Sequence, residues 1–356
     1  MKHYMYVFIV FLWACSAAQP PSGTEQLTIG SWNVQNLFDG ADNGFEYDES
    51  KNSEGWNSEK YHARLLGISE ALKGNFEPDI LVLFEVENEN VIRDLAENCG
   101  DSYLWTFFAG APESPIGFGV LSKIPLIETR THTIHFPDGS IPRPVAEVWA
   151  DTGSGPLVIL ACHWKSKSGG ERKTEALRRL GAALVVRRLE EIAAENPEIP
   201  VIVAGDLNEN HDEFTRIEAA YLSALLPDTG EAAKMVPKAQ RSPRPGFQDF
   251  LVLSGLKPPQ AEFFPGTGGV VYSPWLENED ELQGSYYYKG SLETIDHFLL
   301  NAAVFNRQGW YYENFRVLAE PPFSNDAGHP RPYNLRTGNG LSDHLPIMLI
   351  LSRVQP

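Results

Sequence analysis

A helix with one apolar face, then a proline, then an apolar strand that stops on a polar group: this unit occurs twice in the chain, and the fold has to accommodate both copies. In the first, Ser58 can cap a helix whose Leu65, Leu66, Ile68 and Leu72 fall roughly on one face; Pro78 ends it and DILVLFEV follows at 79–86. In the second, residues 171–195 set Leu177, Leu180, Leu184, Val185 and Leu189 on one side; Pro197 and Pro200 close the helix and VIVAGDLN occupies 201–208. Shorter strands are GFGVLSK (117–123), VAEVWA (145–150), LVILACHW (157–164), TIDHFLL (294–300) and HLPIMLIL (344–351). Helices and strands interleave with no low-complexity linker, which predicts a single α/β domain of layered sheets covered by helices. The 356 residues, 42% apolar and 21% charged, suffice to bury such a core. Residues 39–57 are acidic and rich in Gly and Asn, and read as a surface loop.

The strand ends carry the chemistry. LTIGSWN ends at Asn33, ILVLFE at Glu85, LVILACH at His163, and VIVAGDLN at Asp206 and Asn208. ETIDHF carries Asp296, and SDHLP carries Asp343 and His344 at the entrance to the last strand. Each alone has a plain reading: Asn33 or Asp206 in a turn, Glu85 capping a helix near Glu87, His163 as a satisfied core histidine. Together they form a pattern, because functional groups in α/β sheets gather where strand ends meet loops. Gly205, just before Asp206, leaves room for backbone or for phosphate.

Carboxylates with an amide oxygen make a hard, oxygen-rich site suited to Mg²⁺, Mn²⁺ or Ca²⁺. Two histidines beside acids supply acid/base function near neutral pH. No nucleophile elbow, Walker loop or dinucleotide fingerprint is found, so the set points to hydrolysis of a phosphate ester by water. The formal charge of −18 counts against a protein that coats nucleic acid passively; any grip on polyphosphate has to come from a local basic patch or bound cations.

These motifs resemble the endonuclease/exonuclease/phosphatase superfamily, with its deoxyribonuclease I-like fold and a branch of secreted bacterial nucleases. SWNVQNLFD (31–39), LFEVEN (83–88), GFGVLSKIPL (117–126), IPRPVAEV (141–148), HWKSKSGG (163–170), AGDLNEN (204–210), TIDHF (294–298) and LSDHLPI (341–347) occur in family order. The resemblance implies a domain over 27–354 folded as a four-layer α/β sandwich, two mixed sheets face to face with helices outside. It implies Glu85 as a metal ligand with Asn33 and Asp343 beside the same ion, Mg²⁺ before Mn²⁺ or Ca²⁺. Asp206 is expected at the attacking water, Asn208 and His344 at the phosphate, Asp296 orienting His344, and His163 as acid/base or phosphate ligand. Arg143 is expected to reach a backbone phosphate, Lys165 and Lys167 flank the site, and Tyr286, Tyr287, Tyr288 and Lys289 of GSYYYKG (284–290) suit base stacking and phosphate contact, with Lys165, Tyr287 and Lys289 foremost. The implied activity is a metal-dependent phosphodiesterase, first of all an endonuclease on DNA or RNA, acting as a monomer. A phosphatase or phospholipid phosphodiesterase of the same fold is the alternative, sphingomyelinase-like or inositol-phosphate phosphatase-like. A binding protein with a dead site is a third reading, but no metal or histidine position of the motifs is missing.

The N-terminus reads as an export signal over 1–18, with Lys2 and His3 before the apolar run Tyr4–Trp13. LWAC at 12–15 resembles a lipoprotein cleavage box, which would make Cys15 a lipid anchor; cleavage after Ala18 is the other route. A tether at 19–26 follows, and the expected location is a surface or periplasmic lipoprotein, or the medium. Cys99 and Cys162 have no metal-site spacing, and two cysteines make no disulfide framework.

Overall fold

The apolar runs at 79–86 and 201–208 become strands in the middle of two different sheets. A computed structural model describes residues 24–51, 55–133, 143–237, 248–277 and 284–354. The expected signal with Cys15, and the tether up to residue 23, lie outside the described residues.

In chain order the elements begin with β1 (Thr24–Leu37), α1 (Ser58–Asn75), β2 (Ile80–Val86), α2 (Glu89–Asn98), β3 (Trp105–Ala109), β4 (Gly117–Ser122) and β5 (Leu126–His132). Then come β6 (Val145–Asp151), β7 (Pro156–His163), α3 (Glu171–Glu195), β8 (Val201–Asp206), α4 (Glu213–Arg216), β9 (Leu225–Pro227) and α5 (Gly230–Met235). The last are β10 (Leu251–Ser254), β11 (Val270–Tyr272), β12 (Tyr286–Tyr288), β13 (Ser291–Glu293), β14 (Asp296–Leu300), β15 (Tyr311–Val317) and β16 (Ile347–Val354). Among the described residues, one mixed sheet runs β15–β16–β1–β2–β4–β3, a second runs β5–β6–β7–β8–β14–β11–β10–β9, and β12–β13 form a separate hairpin.

Strand alternation explains the layering. In β2, Ile80, Val82 and Phe84 pack between the sheets with Ala146, Ile159, Ala161, Ile202, Ala204 and Phe298, while Leu81 and Leu83 pack outward on Leu65, Ile68 and Leu72 of α1 and Val91 and Leu95 of α2. In β8, Ile202 and Ala204 point inward, while Val201 and Val203 meet Val185, Leu189 and Ile192 of α3. Both strands are covered on both faces, which is why they read as unbroken apolar runs. The result is the four-layer α/β sandwich. Cys99 and Cys162 are buried free thiols. No helix among the described residues is long and apolar enough to cross a membrane.

Three local expectations change. Residues 24–26 belong to β1 rather than to a tether, because Thr24, Glu25 and Gln26 pair with Val354, Arg353 and Ser352. Asn57, not Ser58, caps α1, its side chain accepting from Lys60 N–H at 3.0 Å. The 39–57 loop is not all surface: Trp56 is buried against Tyr333 and donates to the Asp39 carbonyl, and Glu46 is buried too.

Candidate active site

Register brings the first three groups into line. His163 at the end of β7 lies opposite Asp206 at the end of β8, and Asp206 lies opposite Asp296 at the start of β14. Each shares the parity of its strand's inward residues, so all three open into the gap between the sheets. Gly205 makes this close approach of backbones feasible: a Cβ there would lie 1.8 Å from the Cys162 carbonyl oxygen. The room it leaves is for the neighbouring strand, not for phosphate.

Glu85 arrives differently. By alternation it would face the helices with Leu81 and Leu83. Its φ of 63°, at a register shift between Phe84 and Val86, turns it into the cleft instead. Gln35, Asn36 and Asn208 also have φ between 53° and 54°. Such non-glycine residues cost about 1–3 kcal/mol each and mark places that the surroundings hold by force. The holding groups are visible. Arg64, buried under the loop after Asn33, donates to the carbonyls of Val34, Gln35 and Asn36. Asn36 N–H in turn donates to Glu85 Oε2 at 2.9 Å. Buried Arg178 ties the loops after β7 and β8 together, donating to the Lys165 carbonyl at 3.1 Å and to Glu209 at 2.9 Å.

The cleft so formed has a volume of about 550 Å³ and is lined by Glu85, Arg143, His163, Asp206, Asn208, Asp343 and His344. Asn33 sits beneath, its Nδ2 donating at 3.1 Å to both Glu85 Oε1 and Asp206 Oδ2. Its Oδ1 accepts from Gln35 N–H at 2.9 Å, so in this arrangement Asn33 steadies the two carboxylates rather than offering an oxygen to an ion. His163 Nε2 lies 3.8 Å from Glu85 and 3.6 Å from Asp206. His344 Nδ1 donates to Asp296 Oδ2 at 2.8 Å, and its Nε2 faces Asp206 at 3.9 Å.

Electrostatics separates the two imidazoles. Burial, then the charges of Arg143, His344 and Lys165, drive His163 well below its usual value, so it is neutral. Burial opposes charge on His344 as well, but the Asp296, Asp343 and Asp206 carboxylates outweigh it and hold it up to about 10. Asp206 is pushed up to about 7 by burial, with Asp296 and Glu85 adding to it against the pull of His344.

Among the described residues, two groups of donors lie close enough to share a cation, Glu85–His163–Asp206 and Asp206–Asp296–His344. A protonated imidazole has no lone pair to give, so the first group is the one that fits: two carboxylates and a neutral histidine, a hard set suited to a divalent ion. Asp343 belongs to neither group; it lines the cleft and acts on His344 through its charge.

The substrate residues expected from sequence are scattered more widely. Arg143 lines the cleft, with one Nη on the Trp164 carbonyl at 2.9 Å. Lys165 turns to Ser166 Oγ, and it is Lys167 that lines the cleft, paired at 2.7 Å with buried Glu213. Tyr287 points the other way and stacks on His329 with centroids 3.9 Å apart. A bridge between Tyr286 and His344 sets the parity of the hairpin, so Tyr286 and Tyr288 are the tyrosines that face the cleft. Lys289, at the hairpin turn, rests its Nζ 5.0 Å over the Tyr288 ring.

Other contributors were not singled out in the sequence. Ser285 Oγ donates to Asp296 Oδ2 at 2.6 Å; Ser342 Oγ donates to the Asn33 carbonyl at 2.6 Å and accepts from His344 N–H. Both serines sit inside motifs already noted, SYYYKG and SDH, and that adjacency was the available signal.

Gathered carboxylates that fit a hard cation, with one imidazole kept neutral and another kept charged, suit the attack of water on a phosphate ester. The class is that of metal-dependent phosphoester hydrolases. The chain belongs to the Endonuclease/Exonuclease/phosphatase family, whose model matches residues 28–224, more than half of its length. Comparison with curated proteins gives no match. Among solved structures, truncated Caenorhabditis elegans TDP2 is similar with a TM-score of 0.53 and 16% identity, over 92% of this chain and 97% of that one. D. rerio TDP2 complexed with single strand DNA product gives a TM-score of 0.52 and 16% identity, over 92% and 98%. Beta toxin from Staphylococcus aureus gives 0.51 and 15%, over 91% and 99%. At these identities the likeness is one of fold.

Proposed function

We propose that the protein is an exported, Mg²⁺-dependent phosphodiesterase that cuts DNA or RNA within the chain. The observation that carries this is the registered row His163–Asp206–Asp296, closed by Glu85 and His344 across one cleft. Nucleic acid is favoured by Arg143 at the cleft, by the Tyr286–Tyr288 face of the hairpin, and by a relative of the same fold, D. rerio TDP2, complexed with single strand DNA product. Export rests on the leader read in residues 1–18, either as a lipoprotein anchored at Cys15 or as a freely secreted protein.

Glu85 and Asp206 beside neutral His163 would hold the divalent cation, which would supply Lewis-acid neutralisation of the phosphoryl charge. The chain's own groups do the rest. Asp206, at the centre of the row, orients the attacking water and takes its proton on the carboxylate oxygen not given to the cation. The His344 imidazolium faces the phosphoryl group and gives its Nε2 proton toward the leaving oxygen, while Asp296 holds its Nδ1 side. Asn208 uses one amide hydrogen on the Trp164 carbonyl and keeps the other for a phosphate oxygen. Arg143, fixed through one Nη, has further N–H groups for the same phosphate or its neighbour.

The test is incubation of the mature protein with plasmid DNA and with RNA in Mg²⁺, Mn²⁺ or Ca²⁺. Cleavage of either supports the proposal. Release of phosphocholine or inorganic phosphate from other esters, with both polymers intact, replaces it with the phospholipid or phosphatase reading.

A further inference from the structure

A second cavity, of about 390 Å³, adjoins the cleft, and Asn36 and Glu49 line both. Its remaining wall includes Gln35, Arg64, Tyr333 and Arg336. The walls are tied together: Gln35 Oε1 accepts from Tyr333 N–H at 2.7 Å, and its Nε2 donates to the Tyr333 carbonyl at 3.3 Å.

The cavity's charge is unusual for this chain. Arg64 is only 4% exposed and lies 4.1 Å from the centroid of the Tyr333 ring. Its Nη atoms are taken by backbone carbonyls, but its Nε is buried without a partner. The carboxylates that act on it, Glu85 and Asp343, stand in the neighbouring cleft. Arg336 is exposed at the rim and forms no ion pair among the described residues. Among the described residues that line the cavity, two guanidinium groups thus face a single carboxylate, Glu49, in a protein whose formal charge is −18. A buried cation without a counter-charge in contact is costly, and an anion in the cavity relieves that cost.

We propose that this cavity is a second phosphate subsite, which holds a phosphodiester of the same polynucleotide on one side of the bond being cut. The proposal rests on the nuclease reading. It commits to a polynucleotide because that chain carries a phosphodiester at every nucleotide, so a phosphate next to the one being cut is always present to reach the adjoining cavity. Arg336 supplies the planar fork that grips phosphate oxygens, and Arg64 supplies fixed positive charge behind it. The subsite is the local basic patch that an acidic nuclease needs, and it is assembled from α1 and the loop before β16.

The experiment compares kcat/KM for a short oligonucleotide with kcat/KM for bis(p-nitrophenyl) phosphate, which has one phosphate and no chain. Arg336→Ala is expected to lower the ratio of the two about tenfold, the scale of one charge-assisted contact, chiefly through KM for the oligonucleotide. The slope of log KM against log salt is expected to weaken by about 0.7, the share of one phosphate contact on a single strand. Arg336→Lys keeps part of the ratio, and the surface variant Arg93→Ala on α2 is the control. Arg64 is left in place because it also holds the loop under Glu85. If wild-type protein cleaves oligonucleotides but Arg336→Ala leaves the ratio unchanged, the subsite is overturned and the nuclease reading stands. If it hydrolyses bis(p-nitrophenyl) phosphate but no polynucleotide, both fall.

Discussion

Replacing Asp296 by Asn tests the assignment of His344 as the acid. Asp296 is buried, and its Oδ2 accepts from Ser285 Oγ at 2.6 Å and from His344 Nδ1 at 2.8 Å. An amide keeps the shape and the hydrogen bond but removes the charge. A hydrogen bond to a charged group contributes about 1.5–3 kcal/mol and a neutral one about 1 kcal/mol. The imidazolium therefore loses about 0.5–2 kcal/mol of support, roughly one pKa unit at 1.36 kcal/mol per unit. The sign is definite: an anion beside a cation raises the cation's pKa, so its removal lowers it. With His344 held up to about 10 in the native site, the acid form persists at pH 7 in the variant and is lost about one unit earlier on the alkaline side.

The assay is hydrolysis of bis(p-nitrophenyl) phosphate from pH 5 to 10 at saturating Mg²⁺. Turnover near neutrality is expected to fall by no more than about tenfold, while the alkaline limb moves about one unit toward acid. Ser285→Ala gives the opposite sign, because it strips a competing donor from the carboxylate and leaves more of its charge to His344. An alkaline limb that stays in place in Asp296→Asn refutes the reasoning. It would mean that His344 is not the group whose proton the reaction needs.

Asp206→Ala and His163→Ala are each expected to lower turnover by about 10²–10⁴-fold with the fold retained by circular dichroism; near-normal rates in either would remove that residue from the site. Glu85→Gln is expected to raise the Mg²⁺ midpoint at least about tenfold and to shrink the Mg²⁺-induced rise in Tm; outer-shell partners of a metal alone act on that scale. An unchanged titration excludes it as a ligand. Away from the cleft, Glu147 is fully buried among His132, Arg188, Trp149 and Arg130. Burial pushes its carboxyl up, but the hydrogen bonds from His132, Arg188 and Trp149 with the Arg188 charge outweigh it, and the value falls from 4.5 to about 2. That contribution, about 3 kcal/mol, is fully present above pH 4.5 and is lost as pH falls toward 2. Urea unfolding of Glu147→Gln between pH 5 and 3 should therefore show a flatter acid decline than the parent, and parallel declines would contradict it.

What was legible in the sequence is the part that period-two alternation governs. Once β7, β8 and β14 are placed, His163, Asp206 and Asp296 must share the inward face, and their strands' apolar partners say so. The class of chemistry follows from residue types alone. The aim of the remaining groups does not, because it is set against the alternation. Glu85 has the parity of a residue facing the helices and reaches the cleft only through a left-handed φ at a register shift. Asn208 would point with Asp206 if the strand continued, but β8 stops at Asp206 and Asn208 arrives by its own left-handed turn. Tyr287 misled for a related reason. Three consecutive tyrosines alternate whichever way they face, and only the bridge from Tyr286 to His344, distant in sequence, fixes which two meet the cleft. Arg64 lay among the helical residues that pack on β2, where a charged side chain reads as solvent-facing, yet its burial is what keeps Gln35 and Asn36 left-handed and hence Glu85 in place. Strained backbone of this kind is stable only when contacts far apart in sequence hold it. The most tightly aimed residues of the cleft are therefore those whose direction local sequence is least able to reveal.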